Sequence, residues 1–300
     1  MKVLISDKLA GEGIKLLKDA GFEVLEAWDE PKEDLPDLIS DCDAIIVRSA
    51  TKVGKNVIDV APNLKVIGRA GIGLDNVDLE YAQSKGIKVF NTPSATTISV
   101  AELTFALMLT SVRDVIRGTV TTKEGKWEKK KLKGVELFGK TLGIIGFGRI
   151  GGAIADRAYT FGIRVLGYRR HPTPYSNVDF VNLDTLLKQS DIISIHTPLT
   201  PETKHILNAK AFAKMKDGVI IINAGRGGTI DEEALYDAMV SGKVRVAALD
   251  TFEVEPPVGN KLLTLPNFIC TPHIGGQSVE GQLRAGIQVA KKVIEELKGE

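Results

Sequence analysis

The chain has 300 residues, with 39 Lys and Arg against 38 Asp and Glu, a formal charge of +1. That balance carries no whole-chain footprint for nucleic acid, and the length suits two domains that each bury a core. Cys42 and Cys270 have no metal-ligand spacing and are too few for a disulfide framework, which predicts a reducing, cytoplasmic setting and no bound metal.

The opening MKVLIS lacks the apolar core of a signal peptide and reads as a strand; no apolar run of about eighteen residues suggests a membrane span. Short strands follow at Val3–Ser6, Glu23–Leu25, Ala44–Arg48, Leu64–Ile67 and Lys88–Phe90. Between them Gly13–Ala20, Leu35–Ser40, Val57–Ala61 and Leu79–Lys85 read as helices, two of them closed by Gly21 and Gly86. Such alternation predicts a parallel sheet with helices on both faces. One long helix is expected from Ser99 to about Thr121. A second series of strands starts at Thr141 and continues at 163–168, 191–197, 218–224, 244–250 and 267–272, with helices near 183–189, 208–216 and 231–241. A last amphipathic helix, Val279 to Lys298, places Leu283, Ile287, Ala290, Ile294 and Leu297 on one face. The fold class is therefore α/β, with two doubly wound parallel sheets in tandem.

Gly146-Phe147-Gly148-Arg149-Ile150-Gly151 joins the apolar run Thr141–Ile145 to a helical stretch, Ala153–Thr160. Strand, glycines, helix and a second strand within about thirty residues make a dinucleotide-binding βαβ unit. The first glycine permits the turn, the second lets backbone approach a pyrophosphate, and the third lets helix and strand pack closely. The helix N-terminus then offers unpaired N–H groups and a partial positive charge. In open parallel sheets ligands bind beyond the carboxyl ends of strands. The second series ends in His196-Thr197-Pro198, Asn223 to Gly228, Leu249-Asp250 and Thr271-Pro272-His273. The first ends in Arg48-Ser49 and in Arg69 to Gly73. An arginine, an acid and a histidine are expected to converge on one cleft.

The segments NTPSATTISVAEL, GFGRIGGAIA, HTPLTPET, NAGRGGTIDEEAL, ALDTFEVEPP and TPHIGG resemble the D-2-hydroxyacid dehydrogenase family, in order along essentially the whole chain. VRSATKV and GRAGIGLDNVD are similar to the D-3-phosphoglycerate dehydrogenases within it. The resemblance implies a Rossmann-type nucleotide domain, 96–276, inserted in a flavodoxin-like substrate domain, 1–95 plus 277–300. It also implies a catalytic set of Arg226, Glu255 and His273. A histidine with an ordinary pKa near 6.5 can take and return the hydroxyl proton, a contribution of typically about 10²–10⁴-fold. Glu255 would bond the other ring nitrogen, and Arg226 would hold the substrate carboxylate with its two-pronged donor. The bland alternatives are a solvated Glu255 beside Glu253 and a helix-capping Arg226. His171 and His205, in polar connections, read as surface residues; His196 ends a strand and rivals His273, which the resemblance favours.

For the cofactor, NAD(H) or NADP(H), Arg149 and Ile150 are expected to donate from the helix start. Thr197, Ala224 and Asp250 would line the nicotinamide side, Asp250 accepting from the carboxamide. One departure stands out. Where the NAD-using pattern has an acid after the second strand, this chain has Arg169-Arg170. Two cations suit a 2′-phosphate, which predicts NADP(H) used at least as well as NAD(H). The alternative has both side chains in solvent.

Arg48 and Arg69, with the N–H groups of Gly71, Ile72 and Gly73, suit a substrate with a second anion, such as 3-phosphoglycerate. The resemblance thus implies oxidation of that acid to 3-phosphohydroxypyruvate at the start of serine synthesis. The alternative is a glyoxylate or hydroxypyruvate reductase, and more remotely a dinucleotide-binding corepressor that acts through protein contacts. The cluster Lys126, Lys129, Lys130, Lys131 and Lys133 reads first as a solvated charge run. In similar proteins a cation at Lys129 reaches a partner subunit's substrate, which implies a homodimer. No serine-binding regulatory extension follows the core, so feedback by serine is not expected.

Overall fold

A computed structural model of the chain describes residues 1–299. It divides into two compact units, Met1–Thr97 with the segment from Gly276 onward, and Ile98–Gly275. The first alternates β1 (Lys2–Ile5), α1 (Gly11–Asp19), β2 (Glu23–Glu26), α2 (Leu35–Ile39), β3 (Ala44–Val47), α3 (Lys55–Ile58), β4 (Val66–Arg69), α4 (Leu79–Ser84) and β5 (Lys88–Asn91). Its five parallel strands lie in the order β2-β1-β3-β4-β5. β3, Ala-Ile-Ile-Val, is buried at every position, as a strand covered by helices on both faces must be.

The second unit takes in α5 (Thr97–Arg113), whose first residue closes the first unit, then α6 (Val115–Lys123), β6 (Thr141–Ile145), α7 (Arg149–Thr160), β7 (Arg164–Tyr168) and β8 (Val178–Phe180). It continues with α8 (Leu183–Gln189), β9 (Ile192–Ile195), α9 (Ala209–Lys214), β10 (Val219–Asn223), α10 (Glu232–Val240), β11 (Val244–Leu249) and β12 (Phe268–Cys270). Seven parallel strands lie in the order β12-β11-β10-β9-β6-β7-β8. Strand order reverses between β6 and β9, the switch point where open α/β sheets receive ligands. The chain then returns to the first unit as α11 (Val279–Lys298). Both units are thus α/β with parallel sheets, as expected from the alternation.

Three local expectations change. The long helix is two helices, because Asp114 takes a left-handed φ of 50° and the Val112 carbonyl accepts from Val135 N–H instead of continuing the helical ladder. A three-residue edge strand, β8, was too short to register as a periodic run. On α11 the fully buried positions are Gly281, Ala285, Gly286, Val289, Ala290 and Val293, one step round from the expected face. The reason is a glycine contact with α1: a Cβ on Gly13 would stand 2.6 Å from the Gly286 carbonyl oxygen. Backbone approach that close turns the small residues of α11 inward.

Candidate active site

β6 ends in the glycine loop at the switch point. Gly146 has φ of +88°, and a Cβ there would meet the backbone of His196 and Thr197 at 2.6 Å. Around Gly148 a Cβ would meet nothing within 4 Å, so the backbone is open to a ligand on that side. A Cβ on Gly151 would press on Ile144 and Phe147 at 3.2 and 3.4 Å, where helix meets strand. The three glycines thus meet the three geometric demands of a dinucleotide loop. Gly148 caps α7 with no side-chain hydrogen bond, and Gly152 N–H is the first to donate back, to the Gly148 carbonyl. The N–H groups of Arg149, Ile150 and Gly151 therefore lie in the first turn, where helices present unpaired donors. Nearby at the ends of β9 and β11, His196 Nδ1, Thr197 Oγ1 and Thr251 Oγ1 are buried with no hydrogen-bond partner. Open space over Gly148, free donors and orphaned polar atoms fit a polar cofactor laid across these strand ends.

Three adjacent strands bring the candidate catalytic side chains together. Arg226 follows β10, Glu255 follows β11 and His273 follows β12. His273 Nδ1 lies 2.8 Å from Glu255 Oε2 and 3.1 Å from Oε1. Its Nε2 has no partner among the described residues. The Glu255 hydrogen bond, with its charge and that of Asp250, raises the His273 pKa above the ordinary value, against the opposing effects of burial and Arg226. Burial pushes Glu255 up, but the His273 bond, the Phe252 N–H and the charges of His273 and Arg226 together bring it below the usual range. Arg226 thus acts electrostatically on both partners. Its Nη1 donates to the Gly225 carbonyl at 2.8 Å, while its own carbonyl accepts from Asn223 Nδ2 and Thr229 Oγ1. Gly227 next to it is obligatory, since a Cβ would stand 1.8 Å from the Phe252 oxygen. A cavity of about 460 Å³ borders the pair, lined by Phe252, Pro256, Pro257, Cys270, Thr271 and Pro272.

Comparison with known proteins places the chain in a family. Residues 105–275 match the pattern of the D-isomer specific 2-hydroxyacid dehydrogenase NAD binding domain. The chain is 53% identical over 302 residues to a hydroxypyruvate reductase of Thermotoga maritima, covering 99% of this chain and 98% of that one. It is 48% identical to a D-3-phosphoglycerate dehydrogenase of Methanocaldococcus jannaschii, of which it spans 58%. The chain belongs to the D-2-hydroxyacid dehydrogenase family. A crystal structure of a Thermus thermophilus protein matches with a TM-score of 0.92 and 38% identity, over 100% of this chain and 97% of that one. This family member is accordingly an NAD(P)-dependent oxidoreductase acting on 2-hydroxy acids. Among the described residues no helix is long and apolar enough to cross a membrane, and no group of three His, Cys, Asp or Glu side chains could hold a metal ion.

Other expected residues of this dehydrogenase sit differently. Asp250, expected as a carboxamide acceptor, takes donors from the chain that follows β12. It is fully buried, and its Oδ1 accepts from Thr271 Oγ1 at 2.6 Å and Ile274 N–H at 2.8 Å. Its Oδ2 accepts from Gly275 N–H at 2.8 Å. The carboxylate is committed to the segment that carries His273. His196 loses its rivalry: its Nε2 meets Ser194 Oγ at 2.7 Å, and burial pushes its pKa down to about 3. His205 is not a free surface residue, since its Nε2 lies 3.0 Å from Glu253 Oε1. Glu253 is joined in turn to Glu232, and Glu232 to Asn260, a network that carried no recognisable spacing in the sequence.

Ala224 is buried at the end of β10, beside the Gly275 backbone. Arg169 and Arg170 are exposed beyond β7, and Arg169 Nη1 donates to Thr173 Oγ1 at 3.4 Å. Their loop is pinned to α7 by Tyr175, whose hydroxyl meets the Asp156 carboxylate at 3.0 and 3.1 Å. In the first unit, Arg48 and Arg69 lie at the C-terminal ends of β3 and β4. Arg48 Nη1 donates to the Lys8 carbonyl at 3.4 Å and Nη2 to Gln277 Oε1 at 3.5 Å, both neutral acceptors. The Arg69 guanidinium lies over Gly71, where a Cβ would be 1.6 Å from Nη1. Gly71 N–H is not available to a carboxylate, because it donates to the Arg69 carbonyl at 2.9 Å; Ile72 and Gly73 keep their donors. Lys129 is exposed in the segment after α6, next to Trp127, which is 81% exposed.

Proposed function

We propose that this dehydrogenase interconverts short D-2-hydroxy acids and their 2-keto acids, with hydroxypyruvate as the main keto substrate and NADP(H) used at least as well as NAD(H). The observation that carries the chemistry is the His273–Glu255 pair with its open Nε2. When bound, the dinucleotide supplies the nicotinamide that takes the hydride from C2 or returns it. His273 Nε2 removes the hydroxyl proton in oxidation and gives one back in reduction. Glu255 holds Nδ1–H, fixing the tautomer and stabilising the imidazolium, which the raised His273 pKa reflects. Arg226 binds the substrate carboxylate.

The unit 98–275 would hold the dinucleotide, with Gly146, Gly148 and Gly151 shaping the loop, Arg149 and Ile150 donating, and Thr197 and Ala224 lining the nicotinamide end. Arg169 and Arg170 would pair with a 2′-phosphate; both are exposed, and Tyr175 fixes their loop beside α7. Charge-assisted bonds of this kind contribute about 1.5–3 kcal/mol each.

Hydroxypyruvate is preferred over a phosphorylated acid because the 53% relative of that name matches along 98% of its length. A second reading, 3-phosphoglycerate oxidation, is favoured by Arg48 and Arg69, two cations suited to a second anion, and by the 48% relative. A second copy of the chain is the proposed partner. α6 has no buried residue and leaves Val115, Ile116 and Val120 about half exposed. Sedimentation would test that, with a monomer at micromolar concentration against it. Assaying hydroxypyruvate, glyoxylate and 3-phosphohydroxypyruvate with NADH and NADPH tests the substrate and cofactor readings together. A kcat/KM at least about tenfold higher for the phosphorylated acid would reverse the substrate order.

A further inference from the structure

The loop that carries Glu255 has little of its own to hold it in place. Pro256 and Pro257 have no N–H to donate, and Val254 and Val258 are 72% and 88% exposed, so burial does not anchor it. Among the described residues its internal backbone bonds are two turn contacts, Val258 N–H to the Pro256 carbonyl and Asn260 N–H to the Pro257 carbonyl. Yet both ends of the loop meet one side chain. Glu232 Oε1 accepts from Glu253 N–H at 2.7 Å, and Glu232 Oε2 accepts from Asn260 Nδ2 at 2.6 Å. The first contact is reciprocal, because Glu253 Oε1 accepts from Glu232 N–H at 3.2 Å and meets His205 Nε2 at 3.0 Å.

We propose that Glu232 is a positioning residue: it closes the loop 253–260 at both ends and so sets the contact between Glu255 and His273. Glu232 opens α10, but it is not needed as that helix's cap, since Asp231 already accepts from Ala234 N–H at 3.0 Å. Both of its oxygens face the loop instead. It also stands six residues after Arg226, on the segment whose Gly227 packs against Phe252, the residue whose N–H donates to Glu255. One carboxylate thereby ties the arginine segment to the glutamate loop. A half-buried acid in this place is costly to keep charged, and burial with the nearby Glu253 and Glu255 raises its pKa. The donors from Glu253 and Asn260 offset part of that cost.

This inference rests on the reading of Glu255 and His273 given above, and the test separates the two. Hydroxypyruvate reduction with NADPH is measured for Glu232→Ala, Glu255→Gln, the double variant and Asn260→Ala, with thermal melts to verify folding. Glu232→Ala should lower kcat about tenfold, with KM and the NADPH Kd within about twofold. In the Glu255→Gln background the same change should cost less than about twofold, because the loop no longer has a carboxylate to position. Asn260→Ala, which opens one end of the loop and also removes the 3.0 Å bond from Leu262 N–H to Asn260 Oδ1, should lower kcat by about threefold and stands in if Glu232→Ala does not fold. An equal loss in both backgrounds, or unchanged kcat in Glu232→Ala or in Asn260→Ala, overturns the inference alone. Undiminished kcat in Glu255→Gln overturns the catalytic reading and the inference with it.

Discussion

His273 and His196 stand at strand ends of the same sheet, and the structure treats them in opposite ways. His273 has a carboxylate on Nδ1, an open Nε2 and a raised pKa. His196 has a neutral hydroxyl on Nε2, an orphaned Nδ1 and a pKa pushed down to about 3 by burial. Each imidazole has the same intrinsic chemistry, so the partner and the solvent decide whether it carries protons or stays neutral. A neutral, desolvated histidine beside the glycine loop is a wall; an imidazole paired with a carboxylate is an acid and a base.

The strongest way to break the contrast is His273→Asn, which should lower kcat by about 10²–10⁴-fold while leaving cofactor affinity, read by fluorescence titration, nearly unchanged. Glu255→Gln should cost about 10–10²-fold in kcat/KM and should also move the pH dependence. In reduction His273 must enter protonated, so activity is full below its raised pKa and falls as pH rises through it. Without the carboxylate that fall should begin at lower pH, and a profile that stays in place would count against the pairing. Arg169→Asp, which restores the usual acid, should shift the NADPH-to-NADH ratio of kcat/KM toward NADH by about tenfold or more, given about 1.5–3 kcal/mol for each bond lost.

The smallest kinetic effect belongs to His196→Gln, under about twofold in kcat/KM. Its signature is in stability instead. The folded pKa lies below the ordinary value near 6.5, so the unfolded chain binds the proton first. The contribution of His196 is therefore full above about pH 6.5 and is lost as pH falls toward 3, by about 1.4 kcal/mol per pH unit. Acid unfolding of His196→Gln should begin at lower pH than that of the parent chain, and identical curves would remove His196 from the account.

Much of the site was legible because its signals are local. Gly146, Gly148 and Gly151 announce their geometry by spacing, and strand-end positions follow from alternating periods of two and 3.6 residues. Arg226 and His273 were marked by their places at strand ends, whereas Glu255, and the choice of His273 over His196, came only through resemblance. Asp250 shows what local reading misses: the donors to this strand-end acid come from 21 to 25 residues further along the chain. Glu232 and Asn260 are 28 residues apart, and His205 and Glu253 are 48 apart.

What the amino-acid order determined by itself was most of the elements, the parallel character of both sheets and the glycine loop, because propensity, apolar period and positive-φ positions act within a few residues. Tertiary structure decided which histidine titrates, which acid is a clamp, and where a helix stops, as Asp114 and Val135 do for α5. Those outcomes depend on burial and on hydrogen bonds between distant segments. Desolvation and charge pairing are set by neighbours in space, and a linear sequence does not specify them until the strands are in register.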